Sequence, residues 1–269
     1  MSKNIRLFWW SEIELMGKSK ENFGDLLGKY LTEKISGKNV VWIHPKKWHL
    51  QDLFSPIYVT IGSILAQVNS KCIIWGSGVI SKDAIIKKAK FLAVRGPRTR
   101  EVLMNLGYHV PEIYGDPAIL LPKYYHPEIP KKYSLGIVPH YTDYKAIKEL
   151  YASEKEVLII DLMTNEIEPT ADLFLQCERI ISSSLHGLII SHSYNVPSVW
   201  VQFSDKLFGD GIKFQDYFES VGISNYIPAI SERKFTNSEI QDLFNNRPSL
   251  PETGKIESLQ LGLLSVCPF

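Results

Sequence analysis

The sequence predicts an α/β fold organised in two halves. Short apolar runs with the length of buried strands alternate with segments of helical period through most of the chain, a pattern typical of parallel sheets with crossover helices. The alternation is interrupted between residues 121 and 132, where three prolines lie among lysines and tyrosines without a period. A chain of 269 residues is long enough for two compact domains. We therefore predict two α/β halves that face each other across a cleft.

The first half is predicted to contain six strands and two helices. Phe23–Ile35 is a predicted helix because its apolar residues recur mostly at steps of three and four. Pro97–Leu106 is the other, since proline suits a first helical turn and Gly107 follows as a stop signal. The predicted strands are the apolar runs Arg6–Trp10, Val40–His44, Tyr58–Gly62, Lys71–Trp75, Phe91–Arg95 and Glu112–Gly115.

The second half repeats the alternation. Its predicted strands are Ser134–Pro139, Glu156–Asp161, Arg179–Ser183 and Ser198–Phe203, and its predicted helices are Asp143–Tyr151, Thr170–Glu178, Leu185–Tyr194 and Lys213–Val221. Glu252–Leu264 has helical period and is expected either to pack against the first half or to form a tail. The predicted units are residues 1–122, residues 133–250 and a terminal segment at 251–269.

Composition excludes several classes of protein. The 30 Lys and Arg residues nearly cancel the 29 Asp and Glu residues, so no long-range field attracts a nucleic acid. The three cysteines form neither a disulfide framework nor a metal-type spacing. The N-terminal apolar run is too short for a secretory leader, and no run reaches the roughly 18 residues of a membrane span. We expect a cytoplasmic protein that can still reach the inner face of a membrane.

Two glycine-containing motifs fail as nucleotide sites. Gly-Lys-Ser at 17–19 resembles the end of a phosphate-binding P-loop, but the upstream position that needs glycine is Glu12. Gly-Ser-Gly at 76–78 follows a predicted strand, but Ser81 replaces the third glycine of a dinucleotide fingerprint, so a tight turn is favoured. The histidines and carboxylates show no metal-type spacing, and we predict neither a metal nor another cofactor.

The most informative segment is the serine-rich turn at 182–187, where a predicted strand runs into a predicted helix. Free backbone N–H groups and the positive helix end favour an anion at such a turn, and the hydroxyls of Ser183 and Ser184 add donors. His186 is expected to point into the crevice at the strand ends. The structural alternative is that a serine caps the helix and that His186 has no chemical role.

Two arginines flank a second turn between a strand and a helix. Arg95 ends a predicted strand, and Arg98 lies in the first turn of the next helix, where a cation opposes the helix dipole unless an anion compensates. Guanidinium groups match carboxylate or phosphate geometry. The alternative is that both arginines are solvated surface residues. Asp116, at another strand end, is either a ligand contact or, more simply, a turn former.

Two polar segments supply further candidates. Asn22, Gly24 and Asp25 open the first predicted helix, where Asn22 suits an N-cap and Asp25 suits the first turn. The functional alternative is that Asp25 faces the cleft as a base. Lys206 and Asp210 lie in a loop after a strand, where either a site or a plain turn is expected.

Five of these segments together resemble the polysaccharide pyruvyl transferase family. They are Asn-Phe-Gly-Asp at 22–25, Arg-Gly-Pro-Arg at 95–98, Gly-Asp-Pro at 115–117, Ser-Ser-Ser-Leu-His-Gly at 182–187 and Lys-Phe-Gln-Asp-Tyr at 213–217. The resemblance implies two Rossmann-like domains arranged as in GT-B glycosyltransferases, with phosphoenolpyruvate as donor and a pair of sugar hydroxyls as acceptor. The implied product is a pyruvate ketal on a bacterial surface polysaccharide or its lipid-linked precursor. Many members carry arginine where this chain has Ser184, so one expected anion contact is absent.

The resemblance also suggests a role for each candidate residue. Phosphoenolpyruvate is a compact anion, which needs arginines and helix N-termini more than a metal. We assign the general acid to His186, toward the methylene or the departing phosphate, and the base on the acceptor hydroxyl to Asp25 or, failing it, Asp116. The second half is expected to hold the donor and the first half the acceptor. The predicted donor contacts are Arg95, Arg98, Ser183, Ser184 and Leu185, and the predicted acceptor or cleft residues are Asn22, Gly24, Asp116, Lys206 and Asp210.

Two other functions fit the same residues. A nucleotide-sugar glycosyltransferase of GT-B type would place its phosphates at the same helix ends, because a fold does not fix its chemistry. A non-catalytic scaffold within a polysaccharide assembly complex would not need His186. Trp48, in a loop beside Lys46 and Lys47, is the best candidate for contact with an acceptor or a membrane.

Overall fold

Two parallel sheets form the framework of the computed structural model, which describes residues 4–205 and 209–269. The first sheet contains β1 (Asn4–Phe8), β3 (Asn39–Trp42), β4 (Ile57–Val59), β5 (Cys72–Trp75) and β6 (Lys90–Ala93), in the order β3-β1-β4-β5-β6. The second contains β7 (Leu135–Val138), β8 (Val157–Ile159), β10 (Ile180–Ser182), β11 (Ser198–Gln202) and β12 (Ala229–Ile230), in the order β12-β11-β10-β7-β8. The predicted α/β fold, with a parallel sheet in each half, is confirmed.

Helices connect the strands, and a short antiparallel pair joins the halves. The helices of the first half are α1 (Glu12–Met16), α2 (Phe23–Ser36), α3 (Pro97–Asn105) and α4 (Leu121–Tyr124), with 3₁₀ turns at Leu50–Leu53, Leu65–Gln67 and Pro117–Leu120. Those that follow are α5 (Tyr144–Leu150), α6 (Ile167–Leu175), α7 (Leu185–Ser193), α8 (Ile212–Ser220), α9 (Asn237–Asn245) and α10 (Lys255–Ser265). The antiparallel pair consists of β2 (Glu21–Asn22) and β9 (Met163–Thr164).

Local sequence sets the bounds of α2. The side chain of Asn22 caps the helix by accepting from a backbone N–H at 3.0 Å, as an N-cap asparagine does. Gly37 ends the helix at a φ of 65°, a left-handed conformation that favours glycine. The buried face of α2 includes Phe23, Leu27 and Leu31, which the apolar period predicts.

One apolar core runs from the first half into the second. Phe23 of α2 packs on Phe174 of α6 with ring centres 5.9 Å apart. The N–H of Phe23 also donates to the carbonyl of Leu162 at 2.7 Å. Leu188 of α7 and Leu263 of α10 are buried in the same cluster. The helices therefore tie the two sheets together around the pocket described below.

The terminal helix packs against the first half. The indole N–H of Trp75 donates to the carbonyl of Leu263 at 2.9 Å, and the Gln260 amide donates to the carbonyl of Ile119 at 2.7 Å. Both donors are buried, so these bonds fix the position of α10.

The predicted strand at Glu112–Gly115 is wrong. The region forms only an isolated bridge, between Tyr114 and Val94. Gly115 adopts a φ of 134° and turns the chain into the 3₁₀ helix that follows, so no further residues can pair.

The predicted linker is packed rather than free. Leu121 is fully buried in the shared core. The Tyr125 hydroxyl donates to Asp172 of α6 at 2.7 Å, and the Tyr194 hydroxyl donates to the carbonyl of Tyr125 at 2.6 Å. Within residues 4–205 and 209–269, no helix is both long enough and apolar enough to cross a bilayer.

Candidate functional site

A pocket of about 510 Å³ lies where the carboxyl ends of strands from both sheets meet. Open parallel sheets bind ligands at this edge because their strand ends leave polar backbone and helix N-termini there. The lining residues are Trp10, Glu12, Met16, Lys18, Asn22, Asp25, Gly62, Ser63, Ile64, Ala66, Gln67, Ile80, His140, Tyr141, Ser184, Leu185, His186 and Lys213.

His186 lies in the first turn of α7, with its ring held between two elements of the first half. A Cβ on Gly24 would lie 1.9 Å from the Nδ1 atom of His186, so only glycine lets α2 approach the imidazole this closely. On the other edge of the ring, Nε2 lies 3.7 Å from Oδ2 of Asp116. Neither Nε2 nor this Oδ2 has a hydrogen-bond partner among the described residues.

Asp116 is the turn former that the sequence favours, and its second carboxylate oxygen faces His186. Its Oδ1 accepts from the N–H of Ala118 at 3.0 Å and caps the 3₁₀ helix Pro117–Leu120. Its Oδ2 remains opposite His186. The facing carboxylate orients the imidazole of His186, which lines the pocket, while Asp116 itself is not among the lining residues.

Asp25 lies in the first turn of α2, on the pocket wall beside His186. Burial raises the pKa of Asp25 to about 7, against the opposing effect of His186 and with smaller contributions from Glu12 and Glu21. A carboxyl group with such a pKa exchanges its proton near neutral pH. The sequence places Asp25 in a first turn, and the structure adds the environment that makes it chemically useful.

The serines before α7 divide into structural and pocket-facing residues. Ser182 accepts from the N–H of Ser184 at 3.0 Å and donates to the carbonyl of Val138. Ser183 is fully buried, and its hydroxyl accepts from the N–H of His140 at 2.8 Å. Ser184 makes no side-chain cap of α7 and lines the pocket with Leu185. The N-terminus of α7 therefore faces the pocket, and no side chain caps its free backbone N–H groups.

Lys213 brings a positive charge from α8 to the same pocket. Burial lowers the pKa of Lys213 to about 8, Arg95 adds to this lowering, and Asp25 opposes it. Among the described residues Lys213 forms no ion pair, and its ammonium lies 5.4 Å from the ring centre of Phe214. A buried ammonium without an ion pair is suited to an anionic ligand.

His140 and a lysine from the first half complete the pocket wall. Burial lowers the pKa of His140 to about 4, and Lys213 contributes to this. Lys18 pairs with Glu12 at 2.6 Å, and its ammonium lies 4.8 Å from the ring centre of Tyr141 in the second half. This contact bridges the two halves at the pocket rim.

Comparison with known proteins identifies the family. A family model for polysaccharide pyruvyl transferases matches residues 22–205, which include His186, Asp25 and Asp116. The chain belongs to the polysaccharide pyruvyl transferase family. A relative from Acanthamoeba polyphaga mimivirus, described as uncharacterized, is 36% identical over 209 residues, covering 75% of this chain and 71% of the relative. Family membership supports a transferase with a role in pyruvyl transfer to polysaccharide.

In this pyruvyl transferase family member, the two predicted arginines do not reach the pocket. Arg95 is fully buried, and its guanidinium donates to Asp216 at 2.8 Å, to Ser63 at 2.6 Å and to the carbonyl of Val79 at 2.8 Å. All three of its nitrogen atoms are therefore used within the protein, which leaves no donor surface for direct contact with a ligand.

Arg98 also lies away from the pocket. It pairs with Glu219 at 2.9 Å and with Glu101 at 3.3 Å, on a side chain that is 42% exposed. The compensating anion that its helix position requires is thus supplied by protein carboxylates rather than by a donor molecule.

Of the two loop candidates of the second half, Asp210 falls outside the pocket lining. Asp210 accepts from the N–H groups of Lys82 at 3.0 Å and Ile212 at 3.1 Å, which ties this loop to the first half. It is the turn former that the sequence favours. Lys206 lies outside the described residues.

Sequence reasoning missed three cationic or imidazole side chains of the pocket: Lys18, His140 and Lys213. Lys213 begins the Lys-Phe-Gln-Asp-Tyr segment, so a signal was present, but nothing in the segment alone shows which face of α8 meets the pocket. Within the described part of the chain, no three His, Cys, Asp or Glu side chains form a group that could hold a metal ion.

Proposed function

We propose that this family member forms a pyruvate ketal on a sugar of a surface polysaccharide or its lipid-linked precursor, with phosphoenolpyruvate as the donor. The observation that carries the proposal is that His186 and Asp25 line one pocket. Nε2 of His186 faces Oδ2 of Asp116 at 3.7 Å, and neither atom has a hydrogen-bond partner among the described residues. Acid and base groups on two sides of one pocket fit a reaction that protonates a donor and deprotonates an acceptor.

The first step is protonation of the donor. The imidazole of His186, which lines the pocket, gives a proton to the methylene carbon of phosphoenolpyruvate, which becomes a methyl group. The adjacent carbon, which carries the carboxylate and the phosphate ester, becomes cationic. Asp116, whose Oδ2 lies 3.7 Å from Nε2, orients the imidazole for this transfer.

The second step joins donor and acceptor. Asp25 takes the proton of one sugar hydroxyl while that oxygen attacks the cationic carbon. The bond from this carbon to the phosphate oxygen breaks, and phosphate leaves. The second hydroxyl attacks the same carbon and gives its proton to His186, which closes the ketal and restores the acid, and Asp25 passes its proton to the released phosphate. The net reaction converts one donor and one diol into one ketal and one phosphate.

The anionic groups of the donor are expected to contact Lys213 and the N-terminus of α7. Family members often have arginine at the position of Ser184, and Lys213 lines the same pocket from α8. Its ammonium supplies the positive charge that serine lacks. Ser184 and Leu185 contribute hydroxyl and backbone N–H donors. Arg95 is then a positioning residue, because it holds Ser63 of the pocket wall and α8, which carries Lys213.

A product assay tests the proposal. The purified chain is incubated with phosphoenolpyruvate and a panel of free, lipid-linked and polymeric sugars, and both phosphate release and a pyruvate-bearing product are measured by mass spectrometry. We expect stoichiometric phosphate and ketal, and loss of both in Asp25→Asn by about 10²–10⁴-fold. Turnover of a nucleotide sugar instead would assign the chain to glycosyl transfer. Unchanged turnover in Asp25→Asn would remove the base role of Asp25.

A further inference from the structure

An apolar surface remains outside the pocket, on the loop between β3 and β4. Within residues 46–54, here called the apolar loop, the side chain of Phe54 is 83% exposed, Trp48 is 67% exposed, Leu50 is 65% exposed and Leu53 is 64% exposed. Single exposed apolar residues are ordinary, but four within seven positions form a patch that marks an interaction site.

Local geometry places the apolar residues together and the acidic residue elsewhere. Leu50–Leu53 is a 3₁₀ helix, which has three residues per turn, so Leu50 and Leu53 share one side. Asp52 lies on a different side, where it pairs with Arg6 and, at 2.9 Å, with Lys71. Because Asp52 is the only carboxylate of residues 46–54, its pairing removes the negative charge of the loop.

The apolar loop is held firmly in its exposed position. Arg6 donates to the carbonyl of Ser55 at 2.6 Å, and the N–H of His49 donates to Asp52 at 3.0 Å. The amide of Asn69 donates to the carbonyl of Pro45 at 2.6 Å. Exposure of the aromatic side chains is therefore built into the fold, since these bonds fix the backbone on both sides of the patch.

Two lysines give the patch its charge. Lys46 and Lys47 are both exposed and directly precede Trp48. Basic side chains beside exposed Trp, Phe and Leu are the combination that binds an anionic bilayer, because the lysines meet the head groups and the apolar side chains enter the interface. Trp in particular suits the head-group region of a bilayer, since its ring is amphipathic.

The size of the patch argues against a second copy of the chain as its occupant. A stable protein interface covers about 800 Å² of each partner. Two aromatic side chains of roughly 150–250 Å² each, with two leucines and all four partly covered already, fall short of that area by themselves. Insertion into a lipid surface requires no minimum interface area, and the positive charge of Lys46 and Lys47 contributes to it.

We propose that the apolar loop docks the protein on the surface of an anionic membrane. Trp48, Leu50, Leu53 and Phe54 enter the lipid interface, and Lys46 and Lys47 bind the head groups. The proposal does not depend on the pyruvyl transfer reaction, since neither donor nor acceptor takes part in docking.

Vesicle sedimentation tests the docking. The whole chain is mixed with phosphatidylcholine vesicles with and without phosphatidylserine, and the bound fraction is measured. We expect binding that requires phosphatidylserine, a reduction of about 30-fold in Lys46→Glu/Lys47→Glu, and loss of binding in Trp48→Ser/Phe54→Ser. Because the substituted side chains are exposed, circular dichroism is expected to show an unchanged fold for each variant.

The chain offers a matched control at residues 85–88, where exposed Ile85 precedes exposed Lys87 and Lys88. Ile85→Ser and Lys87→Glu/Lys88→Glu are expected to bind vesicles as the parent does. Three results would overturn the proposal: no binding to either vesicle, an equal loss in the control variants, or a lipid-free dimer in sedimentation that Trp48→Ser/Phe54→Ser dissociates. The ketal assay is run without vesicles on a free sugar, so its outcome is separate.

Discussion

The cluster around Arg95 and the pocket around His186 both form where strands end, both contain a basic side chain that faces a carboxylate, and both join the two halves. Around Arg95, every guanidinium nitrogen has a partner, and Asp216 accepts from Arg95 and from Thr99. Around His186, Nε2 and the facing Oδ2 of Asp116 have none among the described residues. Fully paired charge holds a structure together, whereas polar side chains without hydrogen-bond partners at a pocket are candidates for a chemical role.

The largest expected effect concerns the pocket around His186. His186→Gln keeps a polar side chain of similar size but cannot donate a proton as an acid, so turnover with phosphoenolpyruvate is expected to fall by about 10²–10⁴-fold. The thermal midpoint is expected to stay close to that of the parent. His109→Gln, at an exposed position outside the pocket, is the matched control and should retain full turnover. Full turnover in His186→Gln would place the acid elsewhere.

The next effect concerns the cluster around Arg95. Arg95→Met leaves Asp216 buried without its cation, which is expected to lower the free energy of unfolding by about 3–5 kcal/mol in a urea titration. Arg98→Met removes a half-exposed pair and is expected to cost at most about 1 kcal/mol. If Arg95→Met unfolds like the parent but no longer binds phosphoenolpyruvate, Arg95 contacts the donor directly and the contrast between the two clusters fails.

Lys213 sharpens the comparison, because it lies in the pocket on the same helix as Asp216. Lys213→Met is expected to raise the Kd for phosphoenolpyruvate by about 10–100-fold in calorimetry, the usual effect of one lost charged hydrogen bond. Binding by the parent should weaken as the pH rises through about 8, since burial lowers the pKa of Lys213 to about 8 and the ammonium loses its proton there. Lys213→Arg should remove this pH dependence, because arginine stays charged.

The smallest expected effect concerns Asp25 and pH. Burial raises its pKa in the folded state from 3.8 to about 7, so the folded state binds the proton more tightly than the unfolded state. The contribution of Asp25 to stability is therefore fully present below about pH 3.8 and is lost progressively as the pH rises from there to about 7. Asp25→Asn is expected to be more stable than the parent by about 1–2 kcal/mol at pH 8, with a smaller difference at pH 5. An equal difference at both pH values would contradict the raised pKa.

Regular elements were predictable because their signals are local. The apolar period of α2, the N-cap at Asn22 and the strand before Ser182 each depend on neighbouring residues, and the structure has them where the patterns indicate. The turn at His186 was predictable for the same reason. The strand at 112–115 was not, because one glycine with a positive φ overrides a short apolar run.

Whether a charged side chain is paired within the protein or can contact a ligand depends on residues that are distant in sequence. Arg95 and Asp216 are separated by 121 positions, so no local pattern shows that one neutralises the other. Lys213 is the reverse case, since only the surroundings of α8 show that it lines a pocket and has no ion pair among the described residues. Sequence patterns therefore located both turns with charged residues, but they could not show in which of them the charged atoms are paired within the protein.

The apolar core that passes from Phe23 to Leu188 has a consequence for how the chain can be divided. Both halves contribute side chains to one apolar core. Either half expressed alone would therefore expose the apolar side chains that the other half buries. The halves are therefore not exchangeable modules. Heat or urea is expected to unfold them in one cooperative transition, and a chimaera that joins either half to a relative must preserve the pairing of Phe23 with Phe174.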